Sequence, residues 1–479
     1  MAPPWKNKEW CKSMQLRLDY TNIMDDAVGT QHGISRNDFD YIAEVGKKAY
    51  ENLYHKRETG EIGFMSLPFR SADLHEVQKM ARDLRSEFES FVVIGIGGSA
   101  LGNIALQSAL NVPLYNEIPA QKRNGGLKIY VPDNIDPSLI QGVLNVVDLK
   151  KTVFNVITKS GSTSETLANF LVIRNALIEA VGEHNYRNHI VITTDPEKGL
   201  LRKLAKKEGF RSLEIPQNVG GRFSVLTPVG LLSAAVANID IEQLLAGAAY
   251  MDKTCVASSV FENPACLSAA IQYIMYQKGK HISVMMPYAQ QLKDIADWFR
   301  QLWAESLGKK LNRSGFTVNT GPTPVKALGV TDQHSQIQLY IEGPHDKIIV
   351  FITVERFGEE VVMPHAYPDE EALSYLGDRT LNELLSAEYK ATEYALTKKN
   401  RPNCKIILQE INPFTIGQLI YMLELQTAFA GELFNIDAFN QPGVEDGKKA
   451  TYTLMNRKGY ELMRNGLLQD MQNQERHIV

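Results

Sequence analysis

The sequence predicts an α/β protein of two units, each a mainly parallel sheet flanked by helices. Three observations carry this. Short apolar, β-branched runs alternate with segments of helical period from about residue 91 to 207, and again from about 264 to 430. Two of the early runs end in turns rich in glycine or hydroxyl residues, and each turn opens a helix. The chain has 479 residues, 44% of them apolar, which is enough for two or three domains with large cores.

Residues 1–60 are polar and mixed, with helical periodicity around 38–53, and read as an N-terminal helical arm. In 71–90 an amphipathic helix is marked by Leu74, Val77, Met80, Ala81 and Leu84 on one face. A buried strand from Phe91 runs into a glycine loop and a helix. Strands at 127–131, 153–157 and 189–193 then alternate with helices at 137–146, 165–181 and 198–207. The uncharged run from Phe223 to Ile239 is slightly too short to span a bilayer and predicts a buried helix over 226–238. The second unit holds helix 264–278, strand 281–286, a helix through Trp298 and Trp303 that stops at Gly308, and a helix from Thr331 to Ile341. It continues with strand 347–354, helix 379–397, strand 405–409 and the apolar helix 414–430. The implied division is an arm at 1–60, domains at 61–250 and 251–450, and a C-terminal helical segment at 451–479.

Composition excludes some classes. A net charge of -4 argues against bulk nucleic-acid binding, but an anionic substrate needs only local donors. No stretch reads as a membrane span or a signal peptide, and Cys11, Cys255, Cys266 and Cys404 show no paired spacing. A reducing compartment, the cytoplasm, is expected.

The chemistry concentrates in a few stretches. After strand 153–157 come Thr158, Ser160, Ser162, Thr163, Ser164 and Thr166, six hydroxyls in nine residues, with Lys159 and Glu165 among them. A strand, a hydroxyl-rich turn and a helix start make an anion site, because the first helical N–H groups are unpaired and the dipole favours negative charge there. The plainer alternative is an N-cap with Glu165 closing a capping box. In the first turn, which also holds Gly98 and Ser99, the residues Gly95, Gly97 and Ala100 satisfy a dinucleotide fingerprint in its loose form, but Asp133 and Asp136 lie too far on and Glu117, at the right offset, sits in a loop. What remains is a second phosphate-competent turn. Arg222 follows Gly220-Gly221 and precedes a wholly apolar helix, so it needs an anionic partner. Glu305 falls in the last turn of its helix, where the negative dipole end disfavours a carboxylate, and taken alone it reads as a solvated glutamate. The stretch 439–449 looks like a P-loop, but its glycines are one residue too close and Lys449 stands where a magnesium-holding hydroxyl belongs. No metal-ligand spacing occurs.

Six ordered stretches, IGIGGSALG, TKSGSTSET, GGRFSVLTPVG, QLWAESLGKK, TDQHSQ and FNQPGVEDGKK, together resemble the glucose-6-phosphate isomerase (phosphoglucose isomerase) family in its shorter bacterial form, over about residues 60–450. The resemblance implies two sugar-isomerase (SIS) domains and interconversion of glucose 6-phosphate and fructose 6-phosphate without metal or organic cofactor. It also implies a homodimer with shared active sites. Position by position, it assigns the substrate phosphate to Gly98, Ser99, Thr158, Lys159, Ser160 and Thr163, with Thr166 closing the loop. Glu165 and Gln441 line the sugar site. Glu305 is the base, Arg222 the group that stabilises the enediolate, and His334 and Lys448 the ring-opening pair, the histidine coming from the partner subunit. Thr158 and Ser160 stand where many members have Ser and Thr. Gly161 replaces a bulkier residue, which bears on loop mobility.

The residue types suit that chemistry. Ring opening needs an acid and a base, and a histidine titrates near neutrality. Removing a weakly acidic C–H proton needs a positioned carboxylate, whose basicity a helix C-terminus raises. An enediolate needs a cation that never gives up its proton, which a guanidinium supplies. A non-catalytic SIS regulator would keep the phosphate turns and could lose Glu305, Arg222, His334 or Lys448; this chain keeps all four. An amidotransferase-linked enzyme would carry an N-terminal cysteine nucleophile, and none is present. Because the phosphate turn comes from the first unit and Glu305, His334 and Lys448 from the second, the site is expected in a cleft between them.

Overall fold

The computed structural model describes residues 3–479. After a short helix, Lys8–Ser13, its N-terminal part holds a short strand, β1 (Arg17–Asp19), and the long helix Arg36–Glu58. That helix starts at Ser35, whose hydroxyl accepts from the Asp38 N–H while the Asp38 carboxylate accepts from the Ser35 N–H, so two otherwise unpaired donors are satisfied reciprocally. Phe39, Ile42, Gly46, Ala49 and Leu53 form its buried stripe.

The first sheet is fully parallel. It contains β2 (Ser90–Ile94), β3 (Lys128–Tyr130), β4 (Thr152–Ile157), β5 (Ile190–Thr194) and β6 (Arg211–Glu214), in the order β3-β2-β4-β5-β6. Every residue of β2, β4 and β5 is buried, as expected for strands covered by helices on both faces. The chain leaves β2 toward one edge and returns to lay β4 on its other side. β2 and β4 therefore flank the point where strand order reverses.

The second sheet contains β7 (Ile282–Pro287), β10 (Thr323–Lys326), β11 (Lys347–Arg356) and β12 (Asn403–Glu410), in the order β1-β12-β11-β7-β10. Its long strands are parallel, and β1 adds an antiparallel edge strand to β12. A separate hairpin pairs β8 (Lys309–Leu311) with β9 (Thr317–Thr320). The sequence-based reading has the parallel α/β architecture and most of the helices. It lacks β1, β6, β8, β9, β10 and the helices Ile241–Thr254 and Glu445–Leu454. The missed strands are three or four residues long, and only two of their residues are buried, Leu213 and Lys309, so they carry no run of apolar residues to read. Residues 17–19, inside the segment read as a helical arm, are a strand of the second sheet.

The strand pleat distributes the core. Phe91 and Val93 of β2 join a large apolar cluster, whereas Val92 and Ile94 join a smaller one on the opposite face. Ile348, Val350 and Ile352 of β11 reach the same large cluster, while Ile349 and Phe351 face a third. The large cluster passes through the helix Pro413–Leu433, which packs against Arg36–Glu58, Ile241–Thr254, Pro264–Gln277 and Lys293–Leu307. The four cysteines are buried and unpaired. Among the described residues no helix is long and apolar enough to cross a membrane.

Within Pro413–Leu433, Glu424 is fully buried, and neither carboxylate oxygen has a hydrogen-bond partner. Burial pushes its carboxyl far above the usual carboxylate range. The folded protein therefore keeps a proton that the unfolded chain releases above about pH 4.3. Stability is unaffected by this group below that pH and is lost as pH rises toward the raised value, by about 1.4 kcal/mol per pH unit. Glu424→Gln removes the titration. Denaturant unfolding at pH 5 and pH 8 is expected to show the variant gaining on wild type as pH rises; an equal difference at both values refutes the account.

Candidate active site

Ligands of open α/β sheets bind beyond the C-terminal strand ends where strand order reverses. Both anion-competent turns lie there. β2 delivers 95–99 and its neighbour β4 delivers 158–163.

The hydroxyl turn is internally bonded. Thr158 Oγ1 lies 2.8 Å from Thr163 Oγ1 and 3.3 Å from Ser160 Oγ, and the Ser162 N–H donates to Ser160 Oγ at 3.3 Å. Thr163 is the N-cap residue of the helix Ser164–Val181, yet its hydroxyl makes no capping bond. The capping-box alternative is thus not realised. Thr163 turns toward Thr158, and Glu165 sits in the helix's first turn. Thr166 is buried, and its hydroxyl has no partner. Gly161 adopts φ +66°, and a Cβ there would come within 2.8 Å of the Leu200 backbone nitrogen. Glycine is what lets the turn pack against 199–200. Lys159 reaches away from the hydroxyls and donates to the carbonyls of Gln217 (2.6 Å) and Val219 (2.8 Å). Burial lowers its pKa, with Asp195 opposing. It ties the turn to the stretch just before Arg222.

The glycine turn closes on the same stretch. A Cβ on Gly98 would lie 2.2 Å from the Gly221 carbonyl oxygen and 2.8 Å from the Arg222 nitrogen, so only glycine permits this approach. Ser99 follows, its carbonyl accepting from Asn103 at 3.0 Å.

Arg222, 4% exposed, is held on every side. Nε donates to Ser306 Oγ at 2.7 Å and Nη1 to Gln441 Oε1 at 3.0 Å; Nη2 donates to the carbonyls of Ala438 (2.5 Å) and Asn440 (3.1 Å). Nη1 also lies 3.2 Å from Glu305 Oε1. Burial lowers the Arg222 pKa, opposed by Glu305 and Asp437. This is the anionic partner that the sequence position demanded, and it comes from the other unit. Glu305 stands in the last turn of Lys293–Leu307, whose buried face (Trp298, Phe299, Leu302, Trp303, Ser306) fixes the helix and leaves the carboxylate partly exposed.

Direct contacts thus connect Gly98, Arg222, Glu305 and Gln441, and Lys159 joins them through the carbonyls of Gln217 and Val219, with Ser99, Thr158, Ser160 and Thr163 on the adjoining strand ends. It does not bring in His334 or Lys448. His334 is exposed on the helix Thr331–Glu342. Lys448 is exposed on the helix Glu445–Leu454, 2.8 Å from Glu445.

Sequence reasoning missed Gln301, one turn before Glu305. Its Nε2 donates to Glu305 Oε2 at 3.0 Å, and its Oε1 is buried without a partner. The i, i+4 spacing on a helix was the available signal. It also missed Ser306, and the carbonyls of Ala438 and Asn440, which no side-chain pattern encodes. Among the described residues, no group of three or more His, Cys, Asp or Glu side chains is placed to hold a metal ion.

A partly exposed carboxylate, a buried guanidinium beside it, and a hydroxyl turn at an uncapped helix start can together hold a phosphorylated substrate and shift a proton within it. Comparison with known proteins agrees. The family model for phosphoglucose isomerase matches residues 82–465. The chain is 51% identical over 456 residues to the glucose-6-phosphate isomerase of Carboxydothermus hydrogenoformans, covering 95% of this chain and 98% of that protein. It is 41% identical over 407 residues to a glucose-6-phosphate isomerase of Thermus thermophilus, covering 85% and 93%. A crystal structure of a hypothetical protein from Thermus thermophilus matches with a TM-score of 0.81 at 38% identity, over 92% of this chain and 100% of that one. The Chlamydia trachomatis glucose-6-phosphate isomerase, 24% identical, shares the fold with a TM-score of 0.74 over 86% of this chain and 81% of that one.

Proposed function

The chain belongs to the phosphoglucose isomerase family, and on that premise we propose that the cleft around Arg222 and Glu305 is where it interconverts glucose 6-phosphate and fructose 6-phosphate. The protein is an aldose–ketose isomerase. The observation that carries the site reading is the 3.2 Å approach of a buried guanidinium to a partly exposed carboxylate from the other sheet unit. A non-catalytic regulator has no use for such a pair.

In this reading the substrate phosphate lies against Gly98, Ser99, Thr158, Lys159, Ser160 and Thr163, with Thr166 closing the turn, at the N-terminus of Ser164–Val181. Anchoring there spends remote binding energy on orienting C1 and C2. His334 and Lys448 open the sugar ring, one protonating the ring oxygen and the other taking the anomeric hydroxyl proton. Glu305 takes the proton from C2 of the open aldose, and the C–H electron pair becomes part of the enediolate. Arg222 stabilises the oxygen charge without releasing a proton. As the hydroxyl proton passes from O2 to O1, Glu305 returns its proton to C1. Glu165 and Gln441 line the sugar, Gln441 also steadying Arg222.

The exposure of His334, and its separation from the Arg222–Glu305 chain, support a homodimer in which each site takes His334 from the partner copy. In the same reading, 61–250 and 251–450 are the two SIS-type domains, 1–60 and 451–479 are N- and C-terminal helical segments, and the protein works in the cytoplasm. The test is subunit complementation. Glu305→Gln and His334→Ala chains, each inactive alone, are co-expressed and assayed for fructose 6-phosphate conversion. Random pairing puts one intact site in half of the dimers, so about one quarter of wild-type activity is expected to return. A histidine acting within its own chain returns none. Wild-type protein that binds sugar phosphate without turnover refutes the isomerase site itself.

A further inference from the structure

Lys309 is the first residue after the helix that carries Glu305 and its terminal Gly308. Gly308 ends that helix, its N–H bonding back to the Ala304 carbonyl, and the last carbonyls of a helix have no partner within it. Lys309 fills that need. Its Nζ donates to the main-chain carbonyl of Glu305 at 2.7 Å. A lysine in this position is unusual because it is only 7% exposed. Its main chain is also fixed, since β8 pairs Lys309 with Thr320 of β9. The side chain borders a cavity of about 590 Å³ shared with Asp437 and Asn440, and Asn440 supplies one of the carbonyls that hold Arg222. Lys309 therefore touches the turn that presents the carboxylate and adjoins the cradle of the guanidinium.

We infer that Lys309 is a positioning residue for the isomerase reaction: it fixes the helix-terminal turn carrying Glu305 and adds a second positive charge beside Arg222, toward the charge that develops on the enediolate. This rests on the site reading above. The charged groups acting on it are Arg222 from the turn after Gly220, Glu305 from the preceding helix, and Asp437 from the loop after Pro413–Leu433. Lys310 and Arg313 border the same cavity. Burial, reinforced by Arg222 and opposed by Asp437 and Glu305, pulls the Lys309 amine down to about 8. The charge is thus present at neutral pH and lost as pH rises through about 8, and turnover falls with it on the alkaline side.

The test measures kcat and KM against pH for Lys309→Met and Lys309→Arg, with circular dichroism to establish folding. The Met variant is expected to lose about 10- to 10²-fold in kcat at pH 7, with KM little changed and the alkaline limb removed. The Arg variant, charged at every working pH, is expected to recover most of kcat and move the limb upward. Equal losses in both variants with an unmoved limb mean a structural role only and overturn the inference. Met-variant kinetics identical to wild type overturn it as well. Turnover lost at Glu305→Gln but untouched at Lys309→Met overturns the role of Lys309 alone. Turnover untouched at Glu305→Gln overturns the assignment of the base, and the role of Lys309 with it.

Discussion

Glu305→Gln is expected to lower kcat for fructose 6-phosphate by about 10²–10⁴-fold while leaving KM within a few-fold. The amide keeps the shape of the carboxylate and an oxygen for Arg222 Nη1, so the fold and the phosphate turn are undisturbed. What it loses is the capacity to hold a proton between its removal from one carbon and its return to the next. The carboxylate already has a guanidinium contact at 3.2 Å and an amide contact at 3.0 Å from Gln301, so its position is determined before substrate arrives. Glucose 6-phosphate labelled with deuterium at C2, assayed in the reverse direction, provides the check. Wild type is expected to carry part of the label to C1, and the variant to leave it in place. Turnover unaffected by the substitution removes Glu305 from the role.

Replacing Arg222 by lysine is expected to cost about 10²–10³-fold in kcat/KM, the scale of losing a preorganised donor to a developing oxyanion. The two residues carry the same charge, so the loss measures geometry. Arg222 places three nitrogens on four acceptors spread over Ser306, Ala438, Asn440 and Gln441. A lysine has one nitrogen on a flexible stem and leaves most of these buried groups unpaired. Stability falls as well, so the assay is run well below the unfolding midpoint and compared with Gln441→Ala, which deletes one acceptor and is expected to lose far less. A fully active Arg222→Lys enzyme shows that only the charge matters.

The sequence exposed more of this site than is common, for physical reasons. The hydroxyl turn, the glycine turn and Arg222 are contiguous stretches whose composition differs from what ordinary caps and turns require. Glu305 was legible only through the motif QLWAESLGKK, because a carboxylate in a last helical turn reads by itself as an ordinary solvated glutamate. The long parallel strands were legible because burial on both faces makes them continuous apolar runs. What escaped is what depends on tertiary approach. Gln301 looks like any polar helix residue until Glu305 lies beside it, and Lys309 like any surface lysine. The carbonyls of Ala438 and Asn440 have no side-chain signature. Strands β1 and β10 take their identity from the neighbour they pair with, so their own residues, one of them Pro324, do not announce them. The pairing of Arg222 with Glu305 across two units was foreseen only as a need for some anion.

The apolar cluster that runs from one sheet through Pro413–Leu433 to the other makes the two units a duplication in pattern but not in autonomy. Expressed alone, residues 61–250 would present to water the sides of Leu101–Leu110 and of 241–250 that Lys293–Leu307 and Pro413–Leu433 cover. The expected product is aggregate, not a half-enzyme. Shuffling domains between relatives meets the same obstacle, because a transplanted unit must bring the long central helix and everything that helix touches. The seam between the two sheets is filled with shared core, and the Arg222–Glu305 pair spans it.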